Sequence, residues 1–139
     1  MDALTLTLPA AVHRRLVEHA HQANPAEAIG LLGGQADGLV MMAAPMVNIA
    51  PVRSFFADPH SQFSAERAIR EAGLITLAVY HSHPGGGATP SELDRAFAAH
   101  SPLPQVIIAF DRPHRPGVEI RAFRQIEGLP HEVDLRILP

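Results

Sequence analysis

The sequence predicts an α+β fold, a mixed β-sheet flanked by helices, in a single domain spanning residues 1–139. Two observations carry that prediction. Strand-like and helix-like patterns interleave along the chain without a strict repeat, as they do when helices are layered on a sheet. The strands near residues 29 and 39, and those near 107 and 120, are too close in sequence for the crossover that parallel neighbours need, so each pair reads as a hairpin rather than a βαβ unit.

The elements follow in order. Leu4, Leu6 and Leu8 alternate with Thr5 and Thr7, the period of a half-buried strand. Pro9 suits the start of a helix, and Val12, Leu16 and Ala20 line one face of it up to Asn24-Pro25. Ile29 to Gly34 is an apolar run ending in glycines, read as a strand. Leu39 to Val47 is a second strand, interrupted or ended near Pro45. Asp58-Pro59 supplies an N-cap and a first-turn proline for a helix with Ala65, Ile69 and Ala72 on one face, stopped by Gly73. Leu74 to Tyr80 is a strand, Ser91 to His100 a helix with Leu93 and Phe97 on one face. Strands over 105–110, 117–123 and 132–138 complete the set, with residues 111–117 as a loop.

Composition narrows the class. Hydrophobic residues at 47% can furnish one core, and 18% charged residues argue against intrinsic disorder. With no cysteine, any metal must be held by nitrogen and oxygen. A net charge of -3 with scattered basic residues offers no footprint for nucleic acid or an anionic membrane. No apolar stretch approaches the roughly 20 residues of a bilayer span, and Met1-Asp2-Ala3-Leu4 lacks the start of a signal peptide. A cytoplasmic protein is therefore expected; the oligomeric state is not readable.

The chemistry concentrates in residues 81–94, His-Ser-His-Pro-Gly-Gly-Gly-Ala-Thr-Pro-Ser-Glu-Leu-Asp. His81 and His83 stand two apart at the end of a strand, so both imidazoles point to one face and can reach one cation. Asp94 offers a third ligand and leaves a coordination position open, the pattern of a catalytic rather than a structural zinc site. Such an ion lowers the pKa of its water towards roughly 7. A carboxylate beyond the ligands must still accept and return a proton. Glu27 is the candidate: it stands at the mouth of the apolar Ile29–Gly34 strand, where a charge is costly without a partner. Ser91, one helical turn before Asp94, can face the same site. Ser82 points to the opposite strand face and takes a structural role.

Glu27 before Gly-Leu-Leu-x-Gly, then His-Ser-His-Pro, then Ser-x-x-Asp with ten residues between His83 and Asp94, resembles the JAMM motif of catalytic MPN domains, a family of zinc metalloproteases. The resemblance spans most of the chain and is closest to the short prokaryotic branch. It implies a curved, cytidine-deaminase-like sheet and one zinc ion per chain held by His81, His83 and Asp94. It assigns Glu27 as general acid and base and Ser91 as donor to the oxyanion. As substrate it implies the C-terminal tail of a ubiquitin-like or sulfur-carrier protein. Only ten residues separate Asp94 from the strand at Gln105, so a large second insertion of the kind that grips ubiquitin is absent. Two other classes stay open: a non-catalytic MPN-type interaction module, and a metallohydrolase of a small-molecule amide or carrier-protein adduct.

The remaining candidates have plainer readings. His13, His19 and His21 share no ligand pattern and are expected in solvent, as are His60, His100, His114 and His131. Gly85 to Gly87 lacks the lysine of a phosphate loop. Phe55, Phe56 and Phe63 are expected in the core.

Overall fold

In a computed structural model, residues 4–50, 54–110 and 117–139 are described. The stretch 111–116 of the expected loop, and His114 within it, lie outside them. The strands are β1 (Thr5–Leu8), β2 (Ile29–Gly34), β3 (Val40–Met46), β4 (Ile75–Pro84), β5 (Gln105–Phe110), β6 (Glu119–Ile126) and β7 (Leu129–Ile137). The helices are α1 (Ala10–Ala23), α2 (Pro59–Glu71) and α3 (Glu92–Ala98). All seven strands join one sheet in the order β1-β7-β6-β5-β4-β2-β3. The sheet is mixed: β1 with β7 and β4 with β5 are parallel, the other pairs antiparallel. It also curls far enough for Thr7 on one edge to bridge Leu39 beside the other.

Both expected hairpins are present, β2 with β3 and β5 with β6. One further hairpin was not anticipated. β6 runs on to Ile126 and turns through Glu127 and Gly128, with φ of 52° and 81°, straight into β7. Two consecutive residues with positive φ make the tight turn whose twist matches the strands it joins. Pro45 lies inside β3 rather than ending it, which an edge strand tolerates because one row of its backbone groups is unpaired.

The two faces of the sheet are buried separately. Leu6, Leu8, Leu32, Ala78, Tyr80, Val106 and Ile108 pack with Val12, Leu16 and Ala20 of α1. On the other face, Ile29, Leu31, Ala44 and Val79 pack with Ala65 and Ile69 of α2. Side chains alternate along β4, so Ala78, Tyr80 and Ser82 share the α1 face while Val79, His81 and His83 share the α2 face. Gly30 is required where it stands, because a Cβ there would run into the Tyr80 ring. Asp58 caps α2 through Ser61 N–H at 3.0 Å, with Pro59 in the first turn.

Several side chains depart from expectation. Phe56 and Phe63 are exposed, at 61% and 57%, and only Phe55 is partly buried. Leu93 and Phe97 form no buried stripe on α3, which is too short to lay one across the sheet. His19 is not a solvated side chain: its Nδ1 sits 2.8 Å from the buried Tyr80 hydroxyl, and burial, with Arg15 nearby, lowers its pKa. His21 is exposed yet lies against the Phe110 ring. His60, His100 and His131 are exposed as expected.

Candidate metal centre

β4 carries the two histidines to the middle of the sheet, between β2 and β5. Ile29 of β2 pairs with His81, so the two residues before β2 continue alongside Ser82 and His83. Ser82 fixes that continuation: its N–H donates to the Ala28 carbonyl at 3.0 Å, and its Oγ accepts from Ala28 N–H at 2.7 Å. The structural role expected of Ser82 on the far face is the one it has. By the same alternation Glu27 falls on the histidine face.

The side chains then converge. His81 Nε2 and His83 Nε2 are 3.2 Å apart. Asp94 Oδ1 lies 3.0 Å from the first and Oδ2 2.9 Å from the second. The Gly87 carbonyl accepts from His83 Nδ1 at 2.8 Å. That places the proton of a neutral His83 on Nδ1 and leaves Nε2 a lone pair aimed at the cluster, the outer hydrogen bond that orients ligand histidines. Three electron-pair donors crowd a space suited to a cation. Ligands about 2.0–2.1 Å from one tetrahedral ion lie roughly 3.3 Å from each other, and the separations of 2.9–3.2 Å are close to that. The residues fit a metal ion.

Glu27 is 7% exposed, and its Oε1 is buried without a hydrogen-bond partner among the described residues. One side-chain atom from each of Glu27, His81 and His83 lies within 4.8 Å of the others. Glu27 is therefore at the centre, but Asp94 touches both imidazoles directly. Burial pushes Glu27 up to about 7, with Asp94 adding to the rise and His83 opposing it. Burial lowers His81 against the pull of Asp94. Burial also works against a charged His83, yet Asp94 and the Gly87 carbonyl carry it above its ordinary value. Burial opposes ionisation of Asp94 as well, but its hydrogen bonds to both histidines and to Ser91 hold it well below the usual carboxylate range.

Ser91 is the N-cap of α3. Its Oγ accepts from Asp94 N–H at 3.1 Å, and its own N–H donates to Asp94 Oδ2 at 2.9 Å. This capping box aims the Asp94 carboxylate. The hydroxyl proton of Ser91 is not used by the cap.

Sequence reasoning missed two residues beside this cluster. Asn48 has its amide filled: Nδ2 donates to the Glu27 and Ser54 carbonyls at 3.0 Å each. Its Oδ1 accepts from Ala50 and Phe56 N–H at 2.9 and 3.0 Å. It clasps the loop after β3 to the backbone of Glu27. That loop carries Phe55, whose ring lies 4.7 Å from the His81 ring and 5.4 Å from that of Phe97, forming an apolar wall. The second is Gln105, whose Nε2 donates to the Asp94 carbonyl at 3.0 Å. An asparagine just past a strand is a weak signal available in the sequence; nothing marks Gln105.

A curled mixed sheet with His-x-His on a central strand, an aspartate opposite and a glutamate set back defines a JAMM/MPN-type domain. Residues 9–125 match the model of Prok-JAB, the prokaryotic homologs of the JAB domain, and the chain belongs to that family. It is 33% identical over 135 residues to a probable TtuB-protein conjugate cleaving protease of Thermus thermophilus, covering 97% of this chain and 84% of the relative. It is 28% identical over 135 residues to the CysO-cysteine peptidase of Mycobacterium tuberculosis, covering 96% and 91%. A solution structure from Desulfitobacterium hafniense superposes with a TM-score of 0.84 at 31% identity, covering 96% of this chain and 92% of that one. Among the described residues no helix is long and apolar enough to cross a membrane.

Proposed function

We propose that this single-domain chain is a zinc-dependent isopeptidase that hydrolyses the amide bond at the C-terminal tail of a ubiquitin-like or sulfur-carrier protein. The observation that carries the reading is the buried Glu27 carboxyl, whose Oε1 has no hydrogen-bond partner among the described residues, facing a cluster of two imidazoles and a carboxylate. In this reading His81, His83 and Asp94 are the ligands, supported by their touching one another at ligand–ligand distances. When bound, zinc would polarise the scissile carbonyl and make the attacking water more acidic.

The remaining work falls to the chain. Glu27 Oε1 accepts the proton of the attacking water and returns it to the leaving nitrogen, a role suited to a carboxyl raised to about 7. Ser91 Oγ–H donates to the oxygen that becomes negative in the tetrahedral intermediate. Phe55, held by Asn48, excludes water from the His81 side.

The leaving group is a lysine side chain or a single amino acid. The names of the two relatives favour both, one a probable protease cleaving TtuB-protein conjugates and the other a CysO-cysteine peptidase. The short connection from Asp94 to β5 supplies no large element to grip the leaving side. Zinc-loaded protein incubated with carrier–lysine conjugates and carrier–amino acid adducts, then read by intact mass, tests this. Release of free carrier with an unmodified C-terminus is the expected outcome; none from any carrier, with zinc stoichiometric, overturns it.

A further inference from the structure

Helix α3 presents Asp94 to the histidines, yet its apolar attachment is slight, chiefly the contact of the Phe97 ring with Phe55. It is seven residues long and Asp94 is its only buried residue. Leu93 is 58% and Phe97 37% exposed. Without an apolar stripe such a helix has little to hold it on a sheet, and at two turns it is far too short to persist alone.

The tie from the sheet comes from Gln105. It is the first residue of β5 and 3% exposed, on the same face as Ile107 and Ala109. Its Nε2 donates to the Asp94 main-chain carbonyl, while its Oε1 is buried without a hydrogen-bond partner among the described residues. A buried amide oxygen left unpaired costs stability. An apolar side chain of the same size would avoid that cost, so what the amide contributes lies in its one bond, and that bond ends on Asp94. Gln105 also pairs in register with Val79, two residues before His81 on the same face of β4. The donor and both histidines thus belong to one hydrogen-bonded ladder, and the distance from β5 to Asp94 sets the distance from Asp94 to the imidazoles.

We propose that Gln105 is a positioning residue of the metal centre, which raises metal affinity by holding the Asp94 turn of α3 at ligand distance from β4. The proposal rests on the assignment of Asp94 as a ligand. Its test is zinc affinity, measured by competition with a chromophoric chelator on the full chain, for Gln105→Leu and Gln105→Met. Both substitutions preserve volume and remove the donor together with the unpaired oxygen, and the second guards against a branched side chain that fails to pack.

Zinc should bind about tenfold more weakly in both, the lower end for loss of a partner one step removed from a ligand. Thermal unfolding of the metal-free variants should stay close to that of the parent, which a merely structural role would not allow. Parent-like zinc affinity in both variants overturns the proposal, as does a loss of metal-free stability in both. His83→Ala separates the two levels of the argument. If it loses zinc while the Gln105 variants keep parent affinity, only the role of Gln105 falls; if it keeps stoichiometric zinc, the ligand assignment itself fails.

Discussion

His81 and His83 stand on a ten-residue strand hydrogen-bonded on both sides, whereas Asp94 and Ser91 stand on a seven-residue helix with one buried residue. The first half of the centre is built by the fold: Ile29, Val79 and the α2 core would hold β4 in place with or without a metal. The second half is assembled from polar contacts, a capping box within α3 and one side-chain amide from β5. The strand half is the wall of the centre and the helix half its arm. Substitutions on the two sides should accordingly fail in different ways.

The largest effects lie on the wall. His83→Ala removes one of the three proposed ligands, and metal content measured on purified protein should fall from one ion per chain to none. Unchanged content would sink the site. Glu27→Gln keeps the side-chain size but cannot take up the proton of the attacking water. Turnover should drop by about 10²–10⁴-fold, the usual worth of a general acid–base group, with zinc content intact. Near-parent turnover would remove Glu27 from the mechanism.

Ser91 belongs to the arm and combines the observed cap with the proposed donation to the oxyanion, two jobs that can be separated. Ser91→Ala loses the cap, at about 1 kcal/mol, and the hydroxyl donor as well. Ser91→Asp restores an acceptor for Asp94 N–H but offers no proton to an oxyanion. If the hydroxyl acts on the reacting carbonyl, both variants lose about 10²–10³-fold in kcat while Ser91→Asp regains the stability lost in Ser91→Ala. Parallel recovery of kcat and stability in Ser91→Asp would mean that Ser91 serves only as a cap.

What the sequence made legible divides along the same line. The wall could be read because a strand has period two: His81 and His83 must share a face, and Ser82 must take the other. Glu27 could be read because a charge next to Ile-Gly-Leu-Leu has few harmless places to go. The arm was legible only through Asp94 and Ser91, whose spacing is that of a helical turn. Leu93 and Phe97 suggested a packed face, but the helix ends before it can bury them. Gln105 at the head of an apolar strand and Asn48 in a loop gave no sign of their partners, because both bond to backbone carbonyls brought near by tertiary structure alone. The β6–β7 turn carried the weak signal Glu127-Gly128, and Phe56 and Phe63 carried a misleading one.

The wall also depends on a contact that is not catalytic. Ser82→Ala leaves the Ala28 N–H buried without its side-chain acceptor, which should cost about 1–3 kcal/mol of stability. Because Ala28 follows Glu27, turnover should fall too, with zinc affinity unchanged. Chemical denaturation of the metal-free protein checks the first part. An unchanged midpoint would mean that the strand, not Ser82, places Glu27.

The smallest effect is expected far from the centre, and it tests whether burial is what gives these polar contacts their weight. Arg121 reaches Glu132 with two nitrogens, at 2.9 and 2.8 Å, on the exposed surface of the β6–β7 hairpin. The geometry is as good as any pair at the metal site, but both side chains are substantially in water. The Arg121 guanidinium draws the Glu132 carboxyl below its ordinary value, slightly opposed by desolvation. A depressed folded-state pKa means that the pair stabilises the protein above the unfolded-state value, about 4.3. That contribution fades as pH falls through the lower folded-state value. Discounted for exposure and salt, it should be at most about 0.5 kcal/mol near pH 7. Glu132→Gln should therefore lower the unfolding midpoint slightly at pH 7, and the difference from the parent should close as the solution is acidified below pH of about 4. A loss at pH 7 as large as that in Ser82→Ala would show that bidentate geometry alone, without burial, suffices to hold this fold together.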